Sequence, residues 1–127
     1  MDEGRKTILV VDDEPDVLTY YSALLEDGGY STVTASDGQE ALDRVNVKAP
    51  DLVCLDITMP HKSGVRFYRE MKENSRYRDI PIIIVTGLAE EFQNFISNRR
   101  QVPPPEGYFC KPVDEKALLE TIRKLLG

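Results

Sequence analysis

A chain of 127 residues has room for one domain around one core, so residues 1–127 read as a single domain. Its 41% apolar residues and formal net charge of −6 suit a globular protein and speak against direct nucleic-acid binding, since phosphate-tracking surfaces are basic. The 2 cysteines are too few for a disulfide framework and show no zinc spacing, and no apolar run reaches signal-peptide or membrane-helix length, which predicts a cytoplasmic location and no membrane insertion.

Thr7 to Val11 is a β-branched, wholly apolar run that stops at Asp12-Asp13. Such a run reads as a strand buried on both faces, which turns polar only as it leaves the sheet. Glu14-Pro15-Asp16 starts a helix, with proline near the first turn and acids at the positive end of the helix dipole. Val17, Tyr20, Tyr21, Leu24 and Leu25 recur at helical spacing, and Gly28-Gly29 ends the helix. Tyr30 to Ala35 is a shorter, more polar strand that suits a sheet edge. Ser36-Asp37-Gly38 leads into a helix carrying Ala41, Leu42 and Val45, and Ala49-Pro50-Asp51 breaks the chain.

Leu52 to Leu55 is the central strand, and Asp56 sits at its carboxyl end before the turn Ile57-Thr58-Met59-Pro60. A helix follows with Val65, Phe67, Tyr68 and Met71, then a polar loop from Asn74 to Asp79. Ile80 to Val85 is the most apolar strand and ends in Thr86-Gly87. Leu88 to about Asn98 is predicted as a helix. Gln101 to Gly107 holds Pro103-Pro104-Pro105 and is predicted to be irregular. Tyr108-Phe109-Cys110 is a last short strand before Lys111-Pro112, and Asp114 to Leu126 is an amphipathic helix. Cys54 and Cys110 read as small buried hydrophobes too far apart for a disulfide, and His61 as a solvated side chain.

Five strands alternating with five helices predict an α/β fold, a doubly wound parallel sheet with helices on both faces. With strand order 2-1-3-4-5, the ends of strands one, three, four and five border one rim near the topological switch point. Asp12, Asp13, Asp56, Thr86 and Lys111 then converge. Crowded carboxylates repel unless a cation sits among them, and a hard divalent ion held by oxygens, Mg²⁺ above all, answers that need. With Lys111 and a hydroxyl, the site suits a phosphoryl group, and a carboxylate there can serve as the nucleophile.

Taken together, these stretches resemble the response-regulator receiver domain, with its flavodoxin-like fold, over essentially the whole chain. Asp12-Asp13 matches the family's acidic pair. Asp56 to Gly64 fits the phosphoacceptor stretch D-x-x-M-P-x-x-x-G. Thr86 matches the switch hydroxyl, Tyr108 the switch aromatic, and Lys111-Pro112 the Lys-Pro pair. The resemblance implies that Asp56 accepts a phosphoryl group from a sensor histidine kinase or phosphotransfer protein. It implies that Asp13, Asp56 and the backbone carbonyl of Thr58 ligate Mg²⁺, with Asp12 acting through a metal-bound water. Lys111 would contact a phosphoryl oxygen and, without phosphate, pair with Asp56. Thr86 would donate to another, and Lys111-Pro112 would be a cis peptide. Such a domain is a switch acting on a downstream protein target, not an enzyme with a separate substrate, and any output domain would lie beyond Gly127.

Two alternatives stand beside this reading. An aspartyl-nucleophile phosphatase resembles D-x-D at its nucleophile strand; here the third position is Thr58, with no acid to protonate a leaving group. A constitutive binding module on the same fold would have lost an acid, Thr86 or Lys111, and all are present. The chain departs from the family between Thr86 and Tyr108, where Arg99-Arg100 and three prolines replace a small Gly/Ala-rich turn. The segment is either a partner-specific surface that weakens the usual symmetric dimer or a stiff solvated loop.

Overall fold

The computed structural model describes residues 4–57, 63–87 and 105–127. Five strands, β1 (Thr7–Val11), β2 (Ser31–Ala35), β3 (Leu52–Asp56), β4 (Ile82–Thr86) and β5 (Gly107–Cys110), pair in parallel in the order β2-β1-β3-β4-β5. Among the described residues four helices accompany them: α1 (Pro15–Asp27), α2 (Gly38–Val47), α3 (Ser63–Glu73) and α4 (Glu115–Leu126). The predicted helix from Leu88 to Asn98, Arg99, Arg100, Pro103, Pro104, His61 and Thr58 lie outside the described residues.

Alternation along the strands divides the core into two layers. Leu9, Val11, Val53, Leu55, Ile82 and Ile84 face one side, with Ala41 and Val45 of α2 and Phe67, Tyr68 and Met71 of α3. Ile8, Val10, Leu52, Cys54, Ile83 and Val85 face the other, with Tyr21 and Leu25 of α1 and Leu118 and Ile122 of α4. Double-sided burial is why the three central strands read as unbroken apolar runs. β2, at the edge, buries only Ala35 fully, as its more polar composition requires.

The helix starts follow local chemistry. Proline occupies the first turn of α1. The Asp37 carboxylate accepts from the Glu40 N–H at 2.8 Å, and that of Asp114 from the Ala117 N–H at 3.1 Å; each satisfies a donor that a helix leaves open. Several boundaries differ from the sequence reading: β2 begins at Ser31 rather than Tyr30, and α4 at Glu115, with Asp114 as its cap. β4 begins at Ile82 rather than Ile80, because Pro81 lacks a ladder donor. β5 begins at Gly107, which the sequence alone assigns to the preceding loop. A Cβ at Gly107 would lie 3.2 Å from Ile83 Cγ1 and 3.4 Å from Thr121 Cγ2, so glycine lets the strand lie close to β4 and α4.

Candidate functional site

All five strands run the same way, so their carboxyl ends open on one rim. The chain leaves β1 for β2 on one side and β3 for β4 on the other, which places the switch point between β1 and β3. Asp12 follows the last residue of β1, and Asp56 is the last residue of β3. Their neighbours pair in register, Val11 with Leu55.

Both carboxylates are held where solvent barely reaches, Asp12 at 2% exposure and Asp56 at 4%. Asp13 is exposed. One oxygen of each of the three lies within 4.8 Å of the others. Asp12 Oδ1 accepts from the Glu14 N–H at 3.0 Å, which fixes the turn into α1. The Lys111 ammonium donates to Asp12 Oδ2 at 3.3 Å and to Asp56 Oδ2 at 3.4 Å.

Burial raises the pKa of Asp12 from 3.8 to about 6, with the Asp56 carboxylate adding to the rise; the Glu14 N–H and Lys111 pull the other way without cancelling it. For Lys111, burial works against the charged form, but Asp56 and then Asp12 outweigh it and hold the ammonium above its ordinary range. The pocket thus gathers more negative charge than it can neutralise, and an all-oxygen donor set is the chemistry a hard divalent cation requires.

Thr86 closes β4 with no exposed surface. Its carbonyl accepts from the Lys111 N–H at 2.8 Å, tying the start of the Lys-Pro turn to the rim. Thr86 continues the face of Ile82 and Ile84, against which Tyr108 packs half-buried. Tyr108 pairs with Ile84 in register, two residues before the level of Thr86. Hydroxyl and aromatic therefore share one face of the sheet. The Lys111–Pro112 peptide is cis.

Asp12, Asp13, Asp56 and Lys111 are thus brought together as the sequence predicts, with Thr86 at the same rim. The expectation for Cys110 needs correction. Cys54 is buried, but Cys110 is exposed, because it ends an edge strand at the open rim. Its sulfur lies 2.8 Å from the Tyr108 hydroxyl.

Sequence reasoning missed two groups. Tyr21 lines a small cavity beneath Asp12 and Asp56 with Cys54 and Val85, and burial pushes its hydroxyl pKa well up. Lys72 is buried in an ion pair with Glu106. The signal for Lys72 was its place four residues after the buried Tyr68, on the same helical face.

The family model for the response regulator receiver domain matches residues 8–123. The chain is 32% identical over 122 residues to the polar-differentiation response regulator DivK of Brucella anthropi, covering 96% of this chain and 97% of that one. It is 31% identical over 122 residues to the alkaline phosphatase synthesis transcriptional regulatory protein PhoP of Bacillus subtilis, covering 96% of this chain and 49% of that one. The structure is similar to that of the chemotaxis response regulator CheY4 of Vibrio cholerae, with a TM-score of 0.81 at 28% identity over 96% of this chain and 99% of that one. No helix among the described residues is long and apolar enough to cross a membrane. With the switch-point rim, its acids and its lysine in place, the chain belongs to the response regulator receiver domain family.

Proposed function

We propose that this domain, spanning residues 1–127, is a phosphorylation-activated switch of a two-component system, with Asp56 as phosphoacceptor. The observation that carries this reading is the convergence of three carboxylates within 4.8 Å on an ammonium 3.3–3.4 Å from the two buried ones. A phosphohistidine on a sensor kinase or phosphotransfer protein is the donor class. Its P–N bond breaks as a P–O bond forms to an Asp56 oxygen, and the departing imidazole takes up a proton.

The donor set fits Mg²⁺. Asp13 and Asp56 would ligate it through their side chains and Thr58 through its backbone carbonyl, with Asp12 acting through a water. The ion would supply charge neutralisation for the phosphoryl oxygens. Lys111 exchanges its carboxylate contact for a phosphoryl oxygen. The Thr86 hydroxyl donates to another and draws toward the site. Tyr108, on the same face, follows into the space behind it. The phosphoryl group stabilises the inward arrangement because its oxygens are contacted only there, and that differential affinity shifts the population. The reading places the domain in the cytoplasm, acting on a protein target rather than turning over a separate substrate.

Acetyl phosphate with Mg²⁺, followed by intact mass and peptide mapping, tests it. A single adduct on Asp56, absent in Asp56→Asn because an amide is not a nucleophile, is expected. Acetyl phosphate turnover without an adduct would favour a phosphatase. No reaction at all would favour a constitutive binding module.

A further inference from the structure

At the end of the sheet opposite the acidic pocket, Lys72 of α3 holds an ammonium on a side chain only 1% exposed. It lies 3.0 Å from both carboxylate oxygens of Glu106. The carbonyls of Arg78 and Ile80 accept from it at 3.4 and 3.5 Å, and the Tyr68 ring centroid is 5.8 Å away. A buried ammonium is tolerated only when paired and hydrogen-bonded, so Lys72 depends on Glu106 staying in place. Glu106 in turn grips one residue of β4 twice. Its backbone N–H donates to the Ile82 carbonyl at 3.0 Å, and its carboxylate accepts from the Ile82 N–H at 2.7 Å.

β5 is the strand with most need of such a grip. It has 4 residues, none fully buried, and among the described residues it pairs only with β4. Burial of alternate side chains, which ordinarily specifies register, is weak here. Gly107 selects the register, since a shift by one residue would bring a side chain into the tight slot beside Ile83 and Thr121. Steric exclusion does not hold the strand on, however, and Pro105 just before it has no N–H to offer. Lys111 comes five residues after Glu106 on the same run of chain. Displacing the strand by one residue would move its position by about 3.3 Å and turn alternate side chains to the other face.

We propose that the Lys72–Glu106 pair anchors β5 to α3 and β4 and thereby positions Lys111 against Asp12 and Asp56. Lys72 and Glu106 are positioning residues for phosphoryl transfer, acting from the far end of the sheet. The chemical half of this inference rests on Asp56 being the phosphoacceptor; the mechanical half does not.

Two variants test it. Glu106→Gln removes the charge and keeps the shape. Lys72→Met with Glu106→Leu removes both charges, so that no ion is left buried and unpaired. In either variant the amides of residues 107–111 should exchange with deuterium at least ~10-fold faster, while those of β1 and β3 keep their protection. Phosphorylation of Asp56 by acetyl phosphate should slow by at least ~10-fold, in line with the cost of misplacing a reacting group. Mg²⁺ affinity should not fall, because its ligands lie on other elements and a displaced Lys111 ammonium repels the cation less. Faster exchange throughout the sheet, with an unchanged phosphorylation rate for the folded fraction, would overturn the proposal. So would unchanged exchange in β5. If the wild type accepts no phosphate, the phosphoacceptor reading fails, and exchange at residues 107–111 still decides the anchor.

Discussion

Replacing Asp12 by asparagine should stabilise the metal-free protein, and only at neutral and alkaline pH. Asp12 is 2% exposed, and burial beside Asp56 raises its pKa from 3.8 to about 6. Between those values the native state binds more protons than the unfolded chain, so stability falls as pH rises. The contribution is fully present below pH 3.8 and is lost as pH climbs through about 6. The whole effect is about 3 kcal/mol, most of it lost between about pH 4 and pH 7. The asparagine side chain has nearly the same shape as the aspartate, can accept the Glu14 N–H and never ionises. The difference in stability between Asp12→Asn and wild type should therefore grow in the variant's favour by about 2–3 kcal/mol from pH 4 to pH 8. Urea unfolding in a chelator across that range reads it directly. Adding Mg²⁺ at ~100 times its dissociation constant should return about 2.7 kcal/mol to the wild type at pH 8. Below about pH 6 that gain should shrink as protons compete for the ligands. A pH-independent difference between the two proteins, or a wild type that gains on the variant as pH rises, would refute the electrostatic account of the pocket.

Asp13→Asn should weaken Mg²⁺ binding by at least ~10-fold and, because Asp13 is exposed, leave metal-free stability within about 0.5 kcal/mol. Unchanged Mg²⁺ affinity by titration would remove Asp13 from the ligand set. Thr86→Ala should still form the Asp56 adduct, but the accompanying NMR shifts at Tyr108 should be lost; if they persist in full, the hydroxyl does not couple phosphate to the aromatic.

The fold and most of the site were legible because strand ends are where this architecture concentrates its chemistry. A fully apolar run that stops at an acid reads as a central strand leaving a sheet once the alternation with helices is seen along the chain, and β1 and β3 both stop that way. Once they are neighbours, Asp12 and Asp56 must meet. Lys111 was legible for the same reason, as a cation where an apolar strand meets proline. Cys110 was misjudged because a four-residue edge strand at an open rim does not bury its last side chain. Lys72 was missed because lysine is ordinarily solvated. Its burial depends on Glu106, 34 residues away, and no local pattern announces a partner at that distance. The start of β5 was hidden by its three preceding prolines, which read as loop, while what makes Gly107 a strand residue is its pairing with Ile83.

The charge sum at the rim explains why the position of β5 matters so much. With all three acids ionised, three carboxylates and the Lys111 ammonium leave a net formal charge of −2 in a cluster no more than 4.8 Å across its ligand oxygens. A divalent cation would bring that sum to zero, and phosphorylation, which turns the single charge of the Asp56 carboxylate into nearly two on the acyl phosphate, would unbalance it again by nearly one. Among the described residues, Lys111 is therefore the positive charge held against the two buried acids, and it is carried just past a strand with no fully buried residue. The central strands can hold their acids in place through double-sided burial alone. β5 cannot, so the electrostatics of the pocket depend on how that strand is tied at its other end, where Glu106 grips Ile82 and Lys72.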